Sequence, residues 1–485
     1  MRILSSVAVR LLSFSPVTWV TVEKLIQQVL WLVLFAILAP ILGPRPYGVF
    51  SIVMVFVGFC DFVLSEGVIE VFVTMTEFEQ PHAATANLVA GATAFGLSLV
   101  LACLAPGIGS LFHDGDITRL MWALAPLPML SLLSAAPIAV LRRGMLFKRL
   151  ALRSIVSLVV GGVAGIALAL AGAGVWALAL QVLVQRVVEV VIAWLSVHIQ
   201  FRFGWSDRHF REMLPVGINV LAARVMIFAS GQLPRLILGY VLGPTQVGLF
   251  TLANRFLDII VYTMVFPRTA VGRIELRSLP AGSREFERRF ASMTQDVALV
   301  SFPILLGAAT LMPELYRLWL DQRWLAGVVP AQLVLLSGVP LVLFYCIDAA
   351  LLGAKMSAVF KRMSTVQAVV MAVTVLCAAP FGLDLTCLAL AGRPWVLLPL
   401  YLSVLRRRCG VPARKFLLPP LHSLGGALVM AAILHLPFWQ MPWFDQKLNF
   451  VVLVGVGMVC YGLFCYGFAR SQTRAALAGL FLPRP

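Results

Sequence analysis

Apolar runs of about 20 residues recur fourteen times along this chain, and no other feature limits its fold so sharply. They cover residues 14–41, 48–73, 86–112, 118–141, 151–172, 174–197, 213–242, 247–267, 294–313, 329–353, 364–383, 386–404, 417–437 and 449–469. About 20 apolar residues in a helix cross about 30 Å of hydrocarbon. Lipid offers no partner to backbone N–H and C=O groups, so a spanning helix satisfies them internally. Only 12% of the 485 residues are charged and 61% are hydrophobic, against about 25% charged in soluble domains. The expectation is an all-α integral membrane protein of about 14 transmembrane helices. Connections are short, and none is long enough for a soluble domain. The longest hydrophilic stretch, 268–293, is basic and reads as an amphipathic surface helix.

One stretch occurs twice. Leu42-Gly43-Pro44-Arg45-Pro46-Tyr47-Gly48-Val49-Phe50-Ser51 returns as Leu242-Gly243-Pro244-Thr245-Gln246-Val247-Gly248-Leu249-Phe250-Thr251, and Ile37-Leu38 matches Ile237-Leu238 without a gap. Each copy joins two apolar spans. Proline interrupts the helix and glycine lets the chain reverse. A self-match at so long a period means duplicated halves, because solenoid repeats are much shorter.

Charge orients the spans. With the N-terminus in the cytoplasm, 27 of the 38 Lys and Arg fall at cytoplasmic ends. Five fall in outer loops (Arg45, Arg119, Arg317, Arg323 and Lys447) and six inside spans. The positive-inside rule then places both termini in the cytoplasm. Topology accounts for the net charge of +17, so nucleic acid is not an expected partner. Arg142-Arg143, Arg288-Arg289 and Arg406-Arg407-Arg408 also suit anionic headgroups of membrane lipids. The N-terminal run lacks a small-residue cleavage site and reads as a retained first helix. Eight cysteines without a C-x-x-C and six histidines without H-E-x-x-H give no disulfide framework and no metal site. There is no nucleotide-binding P-loop. No catalytic residue and no cofactor are expected.

Ionisable groups inside spans are the candidate site residues. Lys24 aligns with Arg224 in the duplicated register, each about ten residues into its helix and so about 15 Å deep. Glu23, Gln27 and Gln28 join Lys24 in one stripe through i, i+4 spacing. Two readings stand: a Glu–Lys pair that neutralises itself, or a stripe lining a cavity. Arg186 and Glu189, and likewise Arg255 and Asp258, lie at i, i+3 and can meet. These four either lock helices together or serve ion coupling. Asp61 is either a proton or cation site or the partner of a bundle cation. Arg235 and Arg393 are expected to snorkel outward, and Asp348 to lie near the inner end of its span.

The second copy continues as Gly248-Leu249-Phe250-Thr251-Leu252-Ala253-Asn254-Arg255, with Phe266-Pro267 beyond. This resembles the LG…GxYxLAxR…FP signature of bacterial polysaccharide-export (Wzx-like) flippases of the multidrug/oligosaccharidyl-lipid/polysaccharide (MOP) superfamily. The resemblance implies a fold of two pseudo-symmetric six-helix lobes around a central cavity. These would be residues 1–200 and 201–404, with two further helices and a tail in 405–485. It also implies a function: turning a polyprenyl-pyrophosphate-linked oligosaccharide from the inner to the outer leaflet of the bacterial cytoplasmic membrane by alternating access. A polysaccharide polymerase and a chain-length regulator are the implied partners. Lys24, Arg224 and Arg255 then suit the pyrophosphate, since arginine bonds phosphate bidentately, with Gln27 and Gln28 beside Lys24. The rivals are a MATE-like ion-coupled exporter, which should present acidic residues to a cationic substrate, and a membrane-embedded polysaccharide polymerase, which should carry a large outer loop. A non-transporting accessory subunit is a third reading.

Overall fold

The structure is a computed structural model that describes residues 16–64, 80–197, 231–435 and 446–468, together with 204, 206, 207 and 228. Every regular element among them is helical. In order they are α1 (Pro16–Leu42), α2 (Pro44–Leu64), α3 (Gln80–Leu111), α4 (Gly115–Leu124), α5 (Leu127–Arg143), α6 (Phe147–Leu170), α7 (Val175–Leu195), α8 (Pro244–Ile260), α9 (Phe266–Arg277), α10 (Arg284–Trp319), α11 (Val328–Gly353), α12 (Ser357–Ala378), α13 (Leu383–Cys409), α14 (Ala413–Leu434) and α15 (Gln446–Phe468). A further helix covers 231–242. Twelve stretches of the described residues are long and apolar enough to cross a membrane. The two remaining spans of the fourteen, the second and the seventh, lie partly outside the described residues. Leu195 and Val396, each more than three-quarters exposed, belong to an apolar surface suited to lipid. The chain is a multi-pass membrane protein.

The duplicated turns have one conformation. Gly43 and Gly243 take φ of 78° and 84°, and their N–H groups donate to the carbonyls of Ala39 and Gly239 at 3.0 and 3.1 Å. A left-handed residue of this kind closes a helix and favours glycine. Pro44 and Pro244 then open α2 and α8, where a missing N–H costs nothing. The two openings cross closely. A Cβ on Gly48 would stand 1.6 Å from the Pro244 carbonyl oxygen, and one on Gly248 2.0 Å from that of Pro44.

Other turns repeat without a glycine at the left-handed position. Met145 and Lys355 both have positive φ, 53° and 61°. Around them Leu146 donates to Leu141 and Met356 to Leu351, both at 2.9 Å. Asp114 and Asp321 each cap the helix that follows through a side-chain bond to a backbone N–H.

The chain divides into two compact units, Met1–Gly248 and Leu249–Pro485. In the first, Gly161 and Gly165 let α6 approach α7. A Cβ there would stand 2.6 Å from the Gln181 carbonyl and 2.8 Å from the Gln181 Cβ respectively. Small residues four apart bring membrane helices together in this way. The core of the second unit includes the fully buried Trp324, Tyr316, Phe286, Phe302 and Phe344. There α14 and α15 pack on α10: Phe290 stacks on Phe416 at 5.1 Å, and the Tyr461 hydroxyl donates to the Leu299 carbonyl at 2.8 Å.

The stretch 268–293 corrects an expectation, because it is no separate surface helix. α8 runs through a π-helical turn, Val261–Val265, directly into α9. Ser283 then caps α10 by accepting the Phe286 N–H at 3.1 Å. The hydrophilic residues are the extended ends of two spans, and polar sequence there marks helix leaving hydrocarbon.

Candidate functional site

In the first unit the stripe on α1 is half formed. Gln27 donates to the Glu23 carboxylate at 3.3 Å, and the Lys24 ammonium donates to Gln27 Oε1 at 3.5 Å. Lys24 therefore bonds one turn on at i+3 and not to Gln28. Gln28 Oε1 is buried without a hydrogen-bond partner among the described residues, and Lys24 is exposed. Arg224, its match in the duplicated register, lies outside the described residues.

Four helices build a charge network deeper in this unit. Arg186 on α7 donates Nη1 to Glu189 Oε2 at 3.0 Å, one helical turn on, and pairs through Nη2 with Asp61 on α2. Ser131 on α5 donates to the other Asp61 oxygen at 2.5 Å. Gln185 and Ser157, the latter on α6, donate to Glu189 Oε1 at 3.2 and 3.4 Å. Two carboxylates share one guanidinium. Arg153 on α6 lies close enough to Glu189 to interact with it electrostatically. Its Nε and Nη1 are buried with no hydrogen-bond partner among the described residues. Sequence reasoning counted Arg153 as a topology signal and missed it here.

In the second unit Arg255 and Asp258 are half-buried on α8, and both act on the Tyr262 hydroxyl a turn further along. Past the π turn, Arg268 on α9 donates from Nε and Nη2 to one Asp296 oxygen on α10, at 3.1 and 2.9 Å. Glu275 lies 3.6 Å from Nη1 of the same guanidinium. Asp296 sits on the apolar face of α10, a placement that would have flagged it.

The expectation for Arg393 fails. Its Nε and Nη1 are buried, and it lies close enough to Tyr345 and Tyr401 to interact electrostatically with both. Distance from a helix end says nothing about neighbouring helices, and here α11 and α12 flank α13. Arg235 donates to Gln232 at 2.7 Å. Among the described residues no three His, Cys, Asp or Glu gather at metal-binding distance.

Both units thus hold hydrogen-bonded charge between apolar helices. Comparison with known proteins carries the point further. Residues 37–329, more than half of the chain, match the model of a family described as polysaccharide biosynthesis proteins. The chain belongs to this family. The succinoglycan biosynthesis transport protein ExoT of Rhizobium meliloti is 26% identical over 246 residues, 50% of this chain and 49% of that protein. The teichuronic acid biosynthesis protein TuaB of Bacillus subtilis is 24% identical over 144 residues, 28% of each. The aligned regions thus span half or less of these curated relatives. Among solved structures, the lipid II flippase MurJ in an inward closed conformation superposes with a TM-score of 0.77 at 14% identity, covering 93% of this chain and 99% of that one. An inward-facing MATE family transporter of the MOP superfamily gives 0.55 at 15% identity, covering 79% and 96%. The family member has the MOP-superfamily transporter fold.

Proposed function

We propose that the protein carries a polyprenyl-pyrophosphate-linked oligosaccharide from the inner to the outer leaflet of the bacterial cytoplasmic membrane by alternating access. The observation that carries this reading is the fold shared with a lipid II flippase over nearly the whole chain, in a chain of the polysaccharide biosynthesis family. The cations fit it physically. A pyrophosphate in hydrocarbon needs positive partners, and guanidinium or ammonium groups inside spans supply them. Lys24, with Gln27 and Gln28, is the cation of the first half, Arg224 follows it in the duplicated register, and Arg255 is the cation of the second. Asp61, Arg186 and Glu189 act as an internal lock: their charges already engage one another. Six-helix lobes over 1–200 and 201–404, two appended helices in 405–485, and both termini in the cytoplasm complete the reading. A polymerase and a chain-length regulator would act on the delivered glycan. A drug exporter is disfavoured because the in-register pair, Lys24 and Arg224, is basic.

Labelled precursor in a deletion strain tests the function. Export of one glycan should stop while lipid-linked precursor accumulates at the inner leaflet. Depletion of that precursor would place the defect in synthesis and end the proposal. Arg224→Gln should insert at normal abundance and lose transport, with Arg224→Lys partly active because charge survives and bidentate geometry does not. Reporter fusions after residues 115 and 245 should read periplasmic, and those after 147 and 410 cytoplasmic.

A further inference from the structure

The α9–α10 and α13–α14 turns of the second unit meet backbone to backbone. Gly282 and Gly410 both take left-handed φ, 82° and 70°, and a Cβ on Gly410 would stand 3.0 Å from the Gly282 Cα. Beside this contact Phe290 stacks on Phe416, and the Lys415 ammonium donates to Glu287 at 2.5 Å. Together these contacts fix α14 against the start of α10. Arg284 and Arg408 lie two residues from the touching glycines. With Arg406, Arg407 and Arg414 they are exposed, and none of these arginines makes an ion pair among the described residues. Of the two carboxylates in the first turn of α10, Glu287 is engaged by Lys415, which leaves Glu285 to oppose the arginines.

Depth selects the ligand. Arg406, Arg407 and Arg408 lie two to four residues past residue 404, where the twelfth apolar run ends, and Arg414 three before residue 417, where the next begins. At the helical rise they stand about 3–6 Å outside the hydrocarbon. The headgroup layer is about 5–8 Å thick on each side, so these guanidinium groups share the depth of lipid phosphates. Arginine bonds phosphate through paired N–H donors. Towards the hydrocarbon the same helices present exposed Leu400 on α13 and Leu418 and Leu421 on α14, a surface for acyl chains. An acidic protein would match the charge but leave these leucines without a role. We propose that the paired turns form a site for one anionic phospholipid, with its headgroup on Arg284, Arg406, Arg407, Arg408 and Arg414 and its chains on the leucines. This lipid stays with the protein and is distinct from any carried one, so the site does not depend on the transport reading.

The test uses the full chain in detergent, titrated with phosphatidylglycerol or phosphatidylcholine and read by native mass spectrometry. Undecaprenyl pyrophosphate is titrated in parallel, with inorganic phosphate and poly-L-glutamate as competitors. Each cation near an anionic headgroup is worth about fivefold in affinity, and consecutive residues fan round a helix by about 100°. Phosphatidylglycerol should therefore bind about tenfold or more above phosphatidylcholine, and Arg406→Gln, Arg407→Gln and Arg408→Gln together should remove that preference. Lys355→Gln, Lys361→Gln and Arg362→Gln take the same charge from exposed positions around the α11–α12 turn and should change phosphatidylglycerol affinity by less than about twofold, because they leave the site intact. Gly410→Ala keeps every charge but sets a methyl against Gly282, and should cost about as much as one lost cation, fivefold. If it folds poorly, the triple arginine variant at exposed positions stands in. Equal affinity for the two phospholipids would overturn the site, as would an equal loss in the Lys355 control or wild-type affinity in a folded Gly410→Ala protein. Displacement by inorganic phosphate, or by poly-L-glutamate at equal charge, would also overturn it. Undecaprenyl pyrophosphate affinity should be untouched by the arginine variant. A parallel loss would assign the cluster to the carried lipid and end the proposal of a resident one.

Discussion

Gly48→Ala adds a single methyl group at the crossing of α2 and α8. Its position is set by the backbone, 1.6 Å from the Pro244 carbonyl oxygen and 2.5 Å from its carbon. Non-bonded carbon atoms are comfortable near about 3.5–4.0 Å, so the helices must separate by well over an ångström. The obstacle is backbone, with no rotamer to turn aside. Overpacking of this kind costs about 1–3 kcal/mol, and the upper end applies here. Gly248→Ala meets Pro44 in the same way, at 2.0 Å. A separation forced by one alanine makes room for the other, so the double variant should cost little more than one single variant, a strong departure from additivity. Gly107→Ala on α3, where a Cβ meets nothing within 4 Å, is the control for the chemical change itself. Thermal unfolding of the purified protein, followed by tryptophan fluorescence, measures all four. Gly48→Ala should melt several degrees below wild type and Gly107→Ala should not. A Gly48→Ala protein as stable as the control, or single effects that simply add, would refute the close crossing.

Removing the shared guanidinium with Arg186→Gln leaves Asp61 and Glu189 buried and unpaired, at a cost of about 3–5 kcal/mol. Membrane-inserted protein should fall, and adding Asp61→Asn should restore part of it on an immunoblot. Phe416→Ala removes a ring fully buried against Phe290 and should cost about 3–5 kcal/mol, detectable as early proteolysis between α13 and α14. The Arg323 side chain and the Gln322 N–H hold the Asp321 carboxyl below its usual range. A depressed folded pKa means the contact is present above the unfolded value and is lost as pH falls through the folded one. The Asp321 titration by NMR should therefore move up in Arg323→Gln.

The helices were legible because continuous apolar sequence leaves lipid no other solution. Gly43 and Gly243 were legible because a left-handed turn favours glycine and so preserves identity. The turns at Met145 and Lys355 were not. There the surrounding hydrogen bonds hold a left-handed residue without requiring glycine, so the same conformation falls on methionine in one turn and lysine in the other. The same contrast governs the site. Arg186 and Glu189 meet because helical spacing dictates it, whereas Asp61 lies 125 residues from Arg186 and was left with two readings. Arg153 and Arg268 were hidden among topology signals: a basic residue at a span end looks alike whether it faces headgroups or, like Arg268, a buried carboxylate. Arg393 was misread because reach to an interface ignores what stands beside it.

The π turn at Val261–Val265 also sets a rule for insertions and deletions. Such a turn carries one residue more than an α-helical path, and each residue of an α-helix advances the face by about 100°. Loss of one of those five residues would leave a regular α-helical path and keep α9 close to its present face. The same loss within an α-helical turn of α8 would swing α9 by that angle, carrying Arg268 away from Asp296 and Phe266 away from Tyr345. A one-residue deletion should therefore be absorbed at Val261–Val265 and disruptive in the α-helical turns on either side.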